Sequence, residues 1–256
     1  MAQYTWTAIA ADDGQLPSNM GFTYRWVGGL TVTVENINTI QGESSSLASI
    51  LQTAGYDAAL SLISTEDDNR AISFDSFDGV AIPQDVVDVE IYVEQALQSS
   101  VRGDGHSLVR GRDDDIGRRA YGGNVKRSGS SPQIVRYNPD FAVLAGSVGG
   151  ENFELVASRF RVNGSSLKIK TWEVDNETEP GWQLEITDGD IAAGGWIGYQ
   201  KFGGHSTFQR IVIPFIGIGT NGDPAPTAPV PVGPTTPTGL ITSNITANSF
   251  RAGWTP

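Results

Sequence analysis

Residues 159–199 read RFRVNGSSLKIKTWEVDNETEPGWQLEITDGDIAAGGWIGY, and this stretch decides the fold. Its first run, RFRV at 159–162, alternates two arginines with two apolar residues. Such a period of two indicates a β-strand that buries one face. Asn163-Gly164 follows at once, and this dipeptide accepts the positive φ angles of a tight hairpin turn. The stretch therefore opens as a β-hairpin.

Three further runs repeat the alternation after the turn: SLKIKTW at 166–172, WQLEIT at 182–187 and WIGY at 196–199. Pro180 and Asp188-Gly189 separate them, and both are typical of turns between strands. Alternating strands with turn residues between them predict an antiparallel sheet with one buried face. The fold class that we expect is all-β, a two-sheet antiparallel sandwich.

The order of these runs also carries a resemblance. F-R-V-N-G, L-K-I-K-T-W, E-P-G-W-Q-L and D-G-D-I-A-A-G-G-W-I-G together resemble the laminin-G-like, concanavalin A-like jelly-roll domains of many bacteriophage and bacterial surface proteins. The resemblance implies a jelly-roll sandwich over residues 1–222, with the first residues inside the domain. It implies little about function.

The composition changes after the expected sandwich. Residues 223–238, DPAPTAPVPVGPTTPT, are rich in proline and threonine, which favours an extended, semi-rigid polyproline II linker. Residues 239–256 read GLITSNITANSFRAGWTP, which resembles the first two strands of a fibronectin type III-like domain. Two strands cannot bury a sandwich core, so we expect this domain to be incomplete and the chain to continue beyond residue 256. The alternative is that the chain ends there and this tail pairs with a partner.

Two other segments predict single elements. SSSLASILQTA at 44–54 has the apolar spacing of a helix, and VVDVEIYVE at 86–94 is the cleanest strand. In that strand, one set of alternate residues is expected to face the core, namely Val87, Val89, Ile91 and Val93. The other set is expected to form an acidic outer face, namely Asp88, Glu90, Tyr92 and Glu94.

The remaining segments predict a closing strand and a loop. TFQRIVIPFIGIG at 207–219 should close the sandwich, with Ile213 and Phe215 on one face and Pro214 at an edge or a bulge. The segment 111–131 is rich in glycine, serine and alternating charge, which predicts a mobile loop.

Charge and cysteine content exclude several functions. Lys and Arg number 17 against 29 Asp and Glu, which gives a net charge of -12 that repels nucleic acid and anionic membranes. The chain has no cysteine, so it uses neither disulfides nor thiolate metal sites. The start lacks the basic and apolar regions of a signal peptide, and the apolar run at 211–219 is too short to span a bilayer. We expect no membrane insertion and synthesis in the cytoplasm, which suits a virion protein released by lysis; an internal fragment of an exported protein is the alternative.

Paired carboxylates raise the question of catalysis. Concanavalin A-like folds include glycoside hydrolases, which need two carboxyl groups about 5–10 Å apart. Asp88, Glu90 and Glu94 lie on one face of one predicted strand, at spacings that fit. The Glu-x-Asp-x-x-Glu pattern of the hydrolases is absent, and a solvent-exposed acidic face explains the same residues. We therefore predict a protein that is not an enzyme.

A calcium site is the other candidate for acidic residues. Asp188 and Asp190, in ITDGD, offer oxygens of the kind that hard cations bind. No run matches the twelve-residue calcium loop, and Asp188-Gly189 is also an ordinary turn. No cofactor is predicted, with calcium as the one alternative.

Aromatic side chains suggest a sugar site, because sugars stack on exposed rings. The candidates are Tyr92 on the acidic face, Tyr121 in the charged loop, and Trp196 and Tyr199 near the last hairpin. Aromatic residues also pack readily in a core. Sugar binding at these four residues is a hypothesis beside that of core packing.

Fold resemblance, modular layout and acidic charge together lead to one prediction of function. We expect a non-enzymatic structural or adhesion protein of a tailed bacteriophage virion, in the tail, neck or capsid surface. Its partners would be other virion proteins and a host-surface polysaccharide, and a homo-oligomer is left open. The first alternative is a secreted or cell-surface bacterial carbohydrate-binding module, and the second is a glycoside hydrolase.

Overall fold

The computed structural model describes residues 2–26, 30–64, 71–97, 104–114, 117–126, 132–146, 154–174, 178–202 and 209–229. Within these ranges the chain is all-β with two α-helices. The elements in chain order are β1 (Ala2–Thr7), β2 (Phe22–Arg25), β3 (Thr31–Asn36), α1 (Ile37–Glu43), α2 (Ser45–Thr53), β4 (Ala58–Ser64), β5 (Ala71–Phe74), β6 (Ser76–Phe77), β7 (Val80–Ala81), β8 (Val89–Leu97), β9 (Asp104–Asp114), β10 (Gly117–Lys126), β11 (Pro132–Tyr137), β12 (Phe141–Gly146), β13 (Leu155–Asn163), β14 (Ser166–Glu173), β15 (Leu184–Thr187), β16 (Trp196–Phe202) and β17 (Gln209–Thr220).

These strands form two large antiparallel sheets. Sheet A has the order β15-β14-β13-β8-β17-β4-β3, and β1 also pairs with β17. Sheet B has the order β12-β11-β10-β9-β16-β5-β2, and β6 and β7 form a separate small hairpin. The predicted all-β, two-sheet sandwich of jelly-roll type is confirmed.

The main core lies between the two sheets, where one set of alternate residues from each strand interdigitates. Sheet A contributes Val89, Ile91, Phe160, Val162 and Ile216 among others. Sheet B contributes Ile72, Phe74, Val109, Tyr121, Ile134 and Ile197 among others. Each sheet therefore has an inner face in this core and an outer face turned away from it.

The hairpin predicted at Asn163-Gly164 is confirmed. Asn163 lies opposite Ser166 at the end of the β13–β14 pair, and Gly164 has a φ of 56°. The next two strands do not continue one sheet, because β15 extends sheet A whereas β16 pairs with β5 and β9 in sheet B. The prediction of a single four-stranded sheet is therefore wrong.

The predicted helix and closing strand are also present. The helix at 44–54 is α2, and α1 precedes it, capped by Asn36 Oδ1, which accepts a hydrogen bond from Thr39 N at 3.0 Å. In β17 the register shifts between Val212 and Phe215, which confirms a bulge beside Pro214. The bulge turns Phe215 to the outer face of sheet A, so the prediction that it shares a face with Ile213 is wrong.

The outer face of sheet A is covered, contrary to the prediction of one buried face. At one end, α1 and α2 pack on Ala59, Ala96, Leu155 and Val212. Sequence alternation shows only whether a strand face is polar or apolar. It does not show which distant segments pack on that face. Val87, expected in the core, is exposed, because the strand begins only at Val89.

The other end of that face carries residues 223–229, which we call the strap. Asn221 and Gly222, with φ angles of 57° and 89°, turn the chain back on itself after β17. Ala225 is then buried against the sheet. The predicted start of the linker, at residue 223, therefore falls inside a segment packed on the sandwich.

Three remaining predictions concern a loop, the C-terminal segment and membrane insertion. The loop predicted at 111–131 is wrong for most of its length, because β9 extends to Asp114 and β10 spans Gly117–Lys126. The fibronectin-like segment at 239–256 lies outside the described residues and stays a prediction. No helix in the described ranges is both long and apolar enough to cross a membrane.

Candidate functional site

The four aromatic residues proposed for sugar stacking are all covered. Tyr92, Tyr121, Trp196 and Tyr199 expose 3%, 0%, 5% and 0% of their surface. Tyr121 and Tyr199 point into the main core, Tyr92 lies under the strap, and Trp196 lies on the outer face of sheet B. The assumption that these rings are exposed is wrong, because the structure covers both faces of the sandwich more fully than alternation suggests. Sugar binding by them stays a prediction.

The calcium candidates are engaged by side chains. Asp188 accepts hydrogen bonds from the Tyr121 hydroxyl at 2.5 Å and from Arg136 Nη1 at 2.7 Å, and Arg136 also bonds Asp190. Burial, reinforced by the bond to Asp188, raises the pKa of Tyr121 to about 12, so its hydroxyl stays a donor at neutral pH. In the ranges described, no group of three or more His, Cys, Asp or Glu side chains is placed to hold a metal.

The carboxylates considered for catalysis are not an exposed acidic face. Glu90 is 1% exposed and is paired with Arg159 and Arg161. Glu94 is also buried and accepts hydrogen bonds from the Tyr56 and Tyr92 hydroxyls. The prediction of a solvent-exposed face is therefore wrong for Glu90 and Glu94, which the strap and Tyr56 cover. The Asp88 side chain is 39% exposed and accepts a hydrogen bond from Gly164 N at 2.8 Å.

A row of hydrogen-bonding side chains crosses the outer face of sheet B. Residues opposite each other in antiparallel strands share a face, and the pairing registers place six positions side by side. In order across the sheet they are Ala71, Gln200, His106, Asn124, Gln133 and Gly146. We call this set the polar row. Its four polar members, on adjacent strands, lie in one line over about 14 Å at the usual strand spacing.

Gln200, at the inner end of the polar row, lacks hydrogen bonds. Its side chain is fully buried, and neither Oε1 nor Nε2 has a partner in the part of the chain that the structure describes. A buried amide without partners costs about 1–3 kcal/mol. In native proteins such groups are usually paired with protein atoms, ordered water or a ligand.

An aromatic cluster lies beside the polar row on the same face. The ring centroids of Phe141 and Tyr137 are 5.4 Å apart, those of Tyr137 and Trp26 are 5.0 Å apart, and those of Trp26 and Trp196 are 5.5 Å apart. We call these four rings the aromatic row. Nε1 of Trp26 and of Trp196 also lack partners among the described residues. The face therefore combines ring surfaces with unpaired donors.

The polar and aromatic rows both open to solvent at β12. Phe141 and Val143 are 42% and 49% exposed there, and Gln133 is half-buried. Further in, Tyr137 binds His106 Nδ1 through its hydroxyl at 2.9 Å, and Asn124 Nδ2 donates to Gln133 Oε1 at 3.1 Å. A ligand that approaches over β12 meets an exposed ring first and hydrogen-bonding groups next.

Sequence reasoning missed most of this site. It named Trp196 but none of the polar row, because positions 106, 124, 133 and 200 share no spacing and meet only through strand register. The available signal was weak: Gln200 follows the core residue Tyr199 within a strand, where a polar residue on a covered face is unusual.

Comparison with known proteins gives a fold likeness only. No family model and no curated protein matches the sequence. Among solved structures, the CBM2 module of the evolved Dit of Lactobacillus casei BL23 phage J-1 matches with a TM-score of 0.47 and 12% identity, over 87% of this chain and 99% of that one.

Two further structures match at similar levels. The carbohydrate-binding module CBM66 from Bacillus subtilis matches with a TM-score of 0.44 and 14% identity, over 59% of this chain and 82% of that one. The Ca2+-bound exoplasmic/lumenal domain of VIP36 matches with a TM-score of 0.44 and 14% identity, over 62% of this chain and 78% of that one. At such low identities and TM-scores, these matches carry no functional conclusion for this chain.

Proposed function

We propose that this protein is a non-catalytic carbohydrate-binding module whose sugar site is the outer face of sheet B. The observation that carries the proposal is the buried Gln200 amide, which has no partner in the described structure and lies in the polar row beside the aromatic row. Sugars offer apolar ring faces and hydroxyl groups that both donate and accept. A primary amide next to aromatic rings complements both properties.

The geometry brings an exposed ring close to the polar row. Phe141 lies at the exposed edge of sheet B, and Gln200 lies four strands inward on β16. The Phe141 ring nevertheless reaches inward, with its centroid 6.3 Å from that of His106, which lies directly opposite Gln200. A sugar bound there would stack on the Phe141 ring, with its hydroxyls directed toward the polar row.

Binding without hydrolysis is supported by the state of the strand carboxylates. Glu90 is neutralised by two arginines, and Glu94 is covered by two tyrosine hydroxyls. Hydrolysis needs a pair of carboxyl groups that both reach the glycosidic bond. Neither of these two can do so, and both lie on sheet A, away from the proposed site.

The experiment is affinity electrophoresis through gels that contain a neutral homopolysaccharide: glucan, mannan, galactan, xylan or fructan. We expect retardation in at least one gel, and loss of that retardation in the Gln200→Leu variant. The matched control is Gln183→Leu, which removes an amide that is already bonded to Thr171 in sheet A. This control should bind like the native chain.

Two outcomes would contradict the proposal. One is the absence of retardation in every gel. The other is equal retardation of the native chain and the Gln200→Leu variant, which would move the sugar site away from sheet B. Release of reducing sugar from a retarding polysaccharide would contradict the non-catalytic part alone.

We propose further that the module belongs to a tailed-phage virion and docks on other virion proteins. Support comes from the resemblance of residues 159–199 to jelly-roll domains of phage and bacterial surface proteins. The same resemblance supports the alternative of a secreted or cell-surface bacterial module equally well. Immunogold labelling of purified phage with an antibody against residues 1–222 separates them: labelled particles support the virion protein, and labelled cells or medium support the alternative.

A further inference from the structure

The strap packs on sheet A with a repeat of three residues. Ala225 is buried and Ala228 is half-buried, whereas Pro224 and Thr227 are exposed. A polyproline II helix has three residues per turn, so every third side chain points the same way. The sequence DPAPTAP places its two alanines on the side that faces the sheet, as such a helix requires.

Sheet A provides a track without side chains beneath the strap. Gly217 and Gly219 alternate along β17 on its outer face, opposite Tyr92 and Glu90 of β8. A Cβ atom on Gly217 would lie 2.1 Å from Pro226 O, and one on Gly219 would lie 2.3 Å from Asp223 O. Both distances are shorter than any real contact, so only glycine at these positions lets the strap lie on the strand.

Polar groups hold the strap backbone from both sides. Glu90 Oε1 accepts a hydrogen bond from Ala225 N at 3.0 Å, and Arg159 Nη1 donates to Ala225 O at 2.7 Å. Gln3 Nε2 donates to Pro224 O at 2.8 Å. Arg161 also pairs with Glu90, so one buried carboxylate joins two strand arginines to the strap. Bonds to backbone atoms recognise an extended chain rather than particular side chains.

An aromatic wall completes the groove. Tyr92, Trp172 and Phe215 surround Ala225, with the Tyr92 ring centroid 5.8 Å from that of Trp172 and 5.9 Å from that of Phe215. Aromatic-lined grooves are the usual receptors for polyproline II segments, because such segments are stiff before they bind. Ala225 is 4% exposed against these rings, so a larger side chain there would have to displace this packing.

We propose that the outer face of sheet A is a peptide-binding groove, and that the strap is its resident ligand. The ligand class is an extended, proline-rich peptide with a small residue at every third position. The two glycines of β17 leave space for the peptide backbone. Glu90 and Arg159 form hydrogen bonds with its peptide groups, and the aromatic wall favours alanine at the buried position. The folded module then includes residues 223–229, beyond the predicted boundary at residue 222, and the groove accepts such a peptide in trans once its own strap is displaced.

The test introduces one of two charge substitutions into the 256-residue chain. Ala225→Glu changes the buried position, and Thr227→Glu changes the exposed one two residues later. Hydrogen exchange of the residue 225 amide reports the bond to Glu90. We expect protection in the native chain and in the Thr227→Glu variant, and loss of protection in the Ala225→Glu variant. Gly217→Ala changes the sheet rather than the strap. It should also release the strap, with the same loss of protection at the residue 225 amide.

A second measurement tests binding in trans. A synthetic DPAPTAP peptide is added to the Ala225→Glu chain while acrylamide quenching of tryptophan fluorescence is followed. We expect saturable protection from quenching, no effect of a DPEPTAP peptide, and no effect of either peptide on the native chain, whose groove is filled. Equal exchange in the two charge variants would overturn the resident ligand. A lack of saturation by DPAPTAP on the released chain would overturn the peptide groove.

Discussion

Gln200 places a polar amide between Ala71 and His106 on a covered sheet face, where the fold itself supplies no partner among the described residues. An amide kept for stability would be bonded, as the Gln183 amide is to Thr171. We therefore expect the unpaired amide to lower the free energy of unfolding and to increase the affinity for a ligand.

Gln200→Leu should therefore raise the free energy of unfolding by about 1–3 kcal/mol, because leucine fills a similar volume without unpaired groups. Urea denaturation followed by far-UV circular dichroism measures it. Gln183→Leu should lower the same quantity, since it breaks formed hydrogen bonds. A loss of stability in Gln200→Leu would show that the amide is bonded in solution and would remove the main support for the sugar site.

Asp188 illustrates how charge partners outweigh burial. Burial alone would raise the pKa of Asp188, but hydrogen bonds from Tyr121 and from the Asp190 amide, together with Arg136, bring it below its usual value. A carboxyl group whose pKa falls on folding stabilises the protein above its unfolded pKa of about 3.9. That contribution is lost as the pH drops through the lower, folded pKa.

The native chain should therefore lose stability steeply on acidification below about pH 4, and the Asp188→Asn variant should lose less over the same range. Urea midpoints at a series of pH values measure both slopes. Asp140→Asn, at an exposed turn position, should keep the native slope. Parallel slopes for the native chain and Asp188→Asn would show that the carboxylate is not stabilised by its neighbours.

At the scale of elements, the β13–β14 hairpin was predictable because its information is local. RFRV, Asn163-Gly164 and SLKIKTW specify two strands and a turn without help from the rest of the chain. The fate of Arg159 was not predictable, since its burial depends on a strap more than sixty residues later in sequence. In the same way α2 follows from its apolar spacing, but the sheet that it covers does not.

Gly164 supports the turn of this hairpin through its φ of 56°. Gly164→Ala should lower the free energy of unfolding by roughly 1 kcal/mol, because a Cβ atom disfavours the left-handed region, although the surrounding space is open. Thermal and urea unfolding measure the change. Gly189→Ala is the matched control, also in open space but without a positive φ, and should be close to neutral. Equal costs would show that the turn conformation does not decide the effect.

Two ion pairs on sheet A should differ widely in their effect on stability. Glu90 is buried with Arg159, whereas Glu185 is 56% exposed in its pair with Lys168 at 2.7 Å. Removing one member of a buried pair strands a charge and costs about 3–5 kcal/mol, whereas an exposed pair contributes about 0–1 kcal/mol. Glu90→Ala should thus destabilise far more than Glu185→Ala in urea unfolding. Similar losses would mean that solvent reaches Glu90.

At the scale of the whole molecule, the sandwich was predictable and the site was not. Strand patterns fix the fold class because each strand must bury one face, wherever it lies in the sheets. The polar row depends on the registers of β9, β10, β11 and β16, which place His106 beside Asn124 and Gln200. A shift of one residue in any of these strands would turn its polar side chain into the core.

The proposed sugar site uses uncharged contacts, although the chain as a whole carries a net charge of -12. Stacking and neutral hydrogen bonds are not screened by ions, so retention in a neutral polysaccharide gel should be unchanged between low salt and about 0.5 M NaCl. Retention measured at both salt concentrations checks this. A large loss at high salt would indicate that charged groups carry the binding, and would point to an acidic glycan instead.

The return of the strap along β17 has a mechanical consequence. Tension applied to the chain downstream of residue 229 reaches Ala228 and then Ala225 before it reaches Thr220 at the end of the strand. These contacts break one after another. The seven released residues extend the chain by roughly 24 Å before the force reaches any strand. The strap therefore detaches and rebinds under tension while both sheets of the sandwich stay paired.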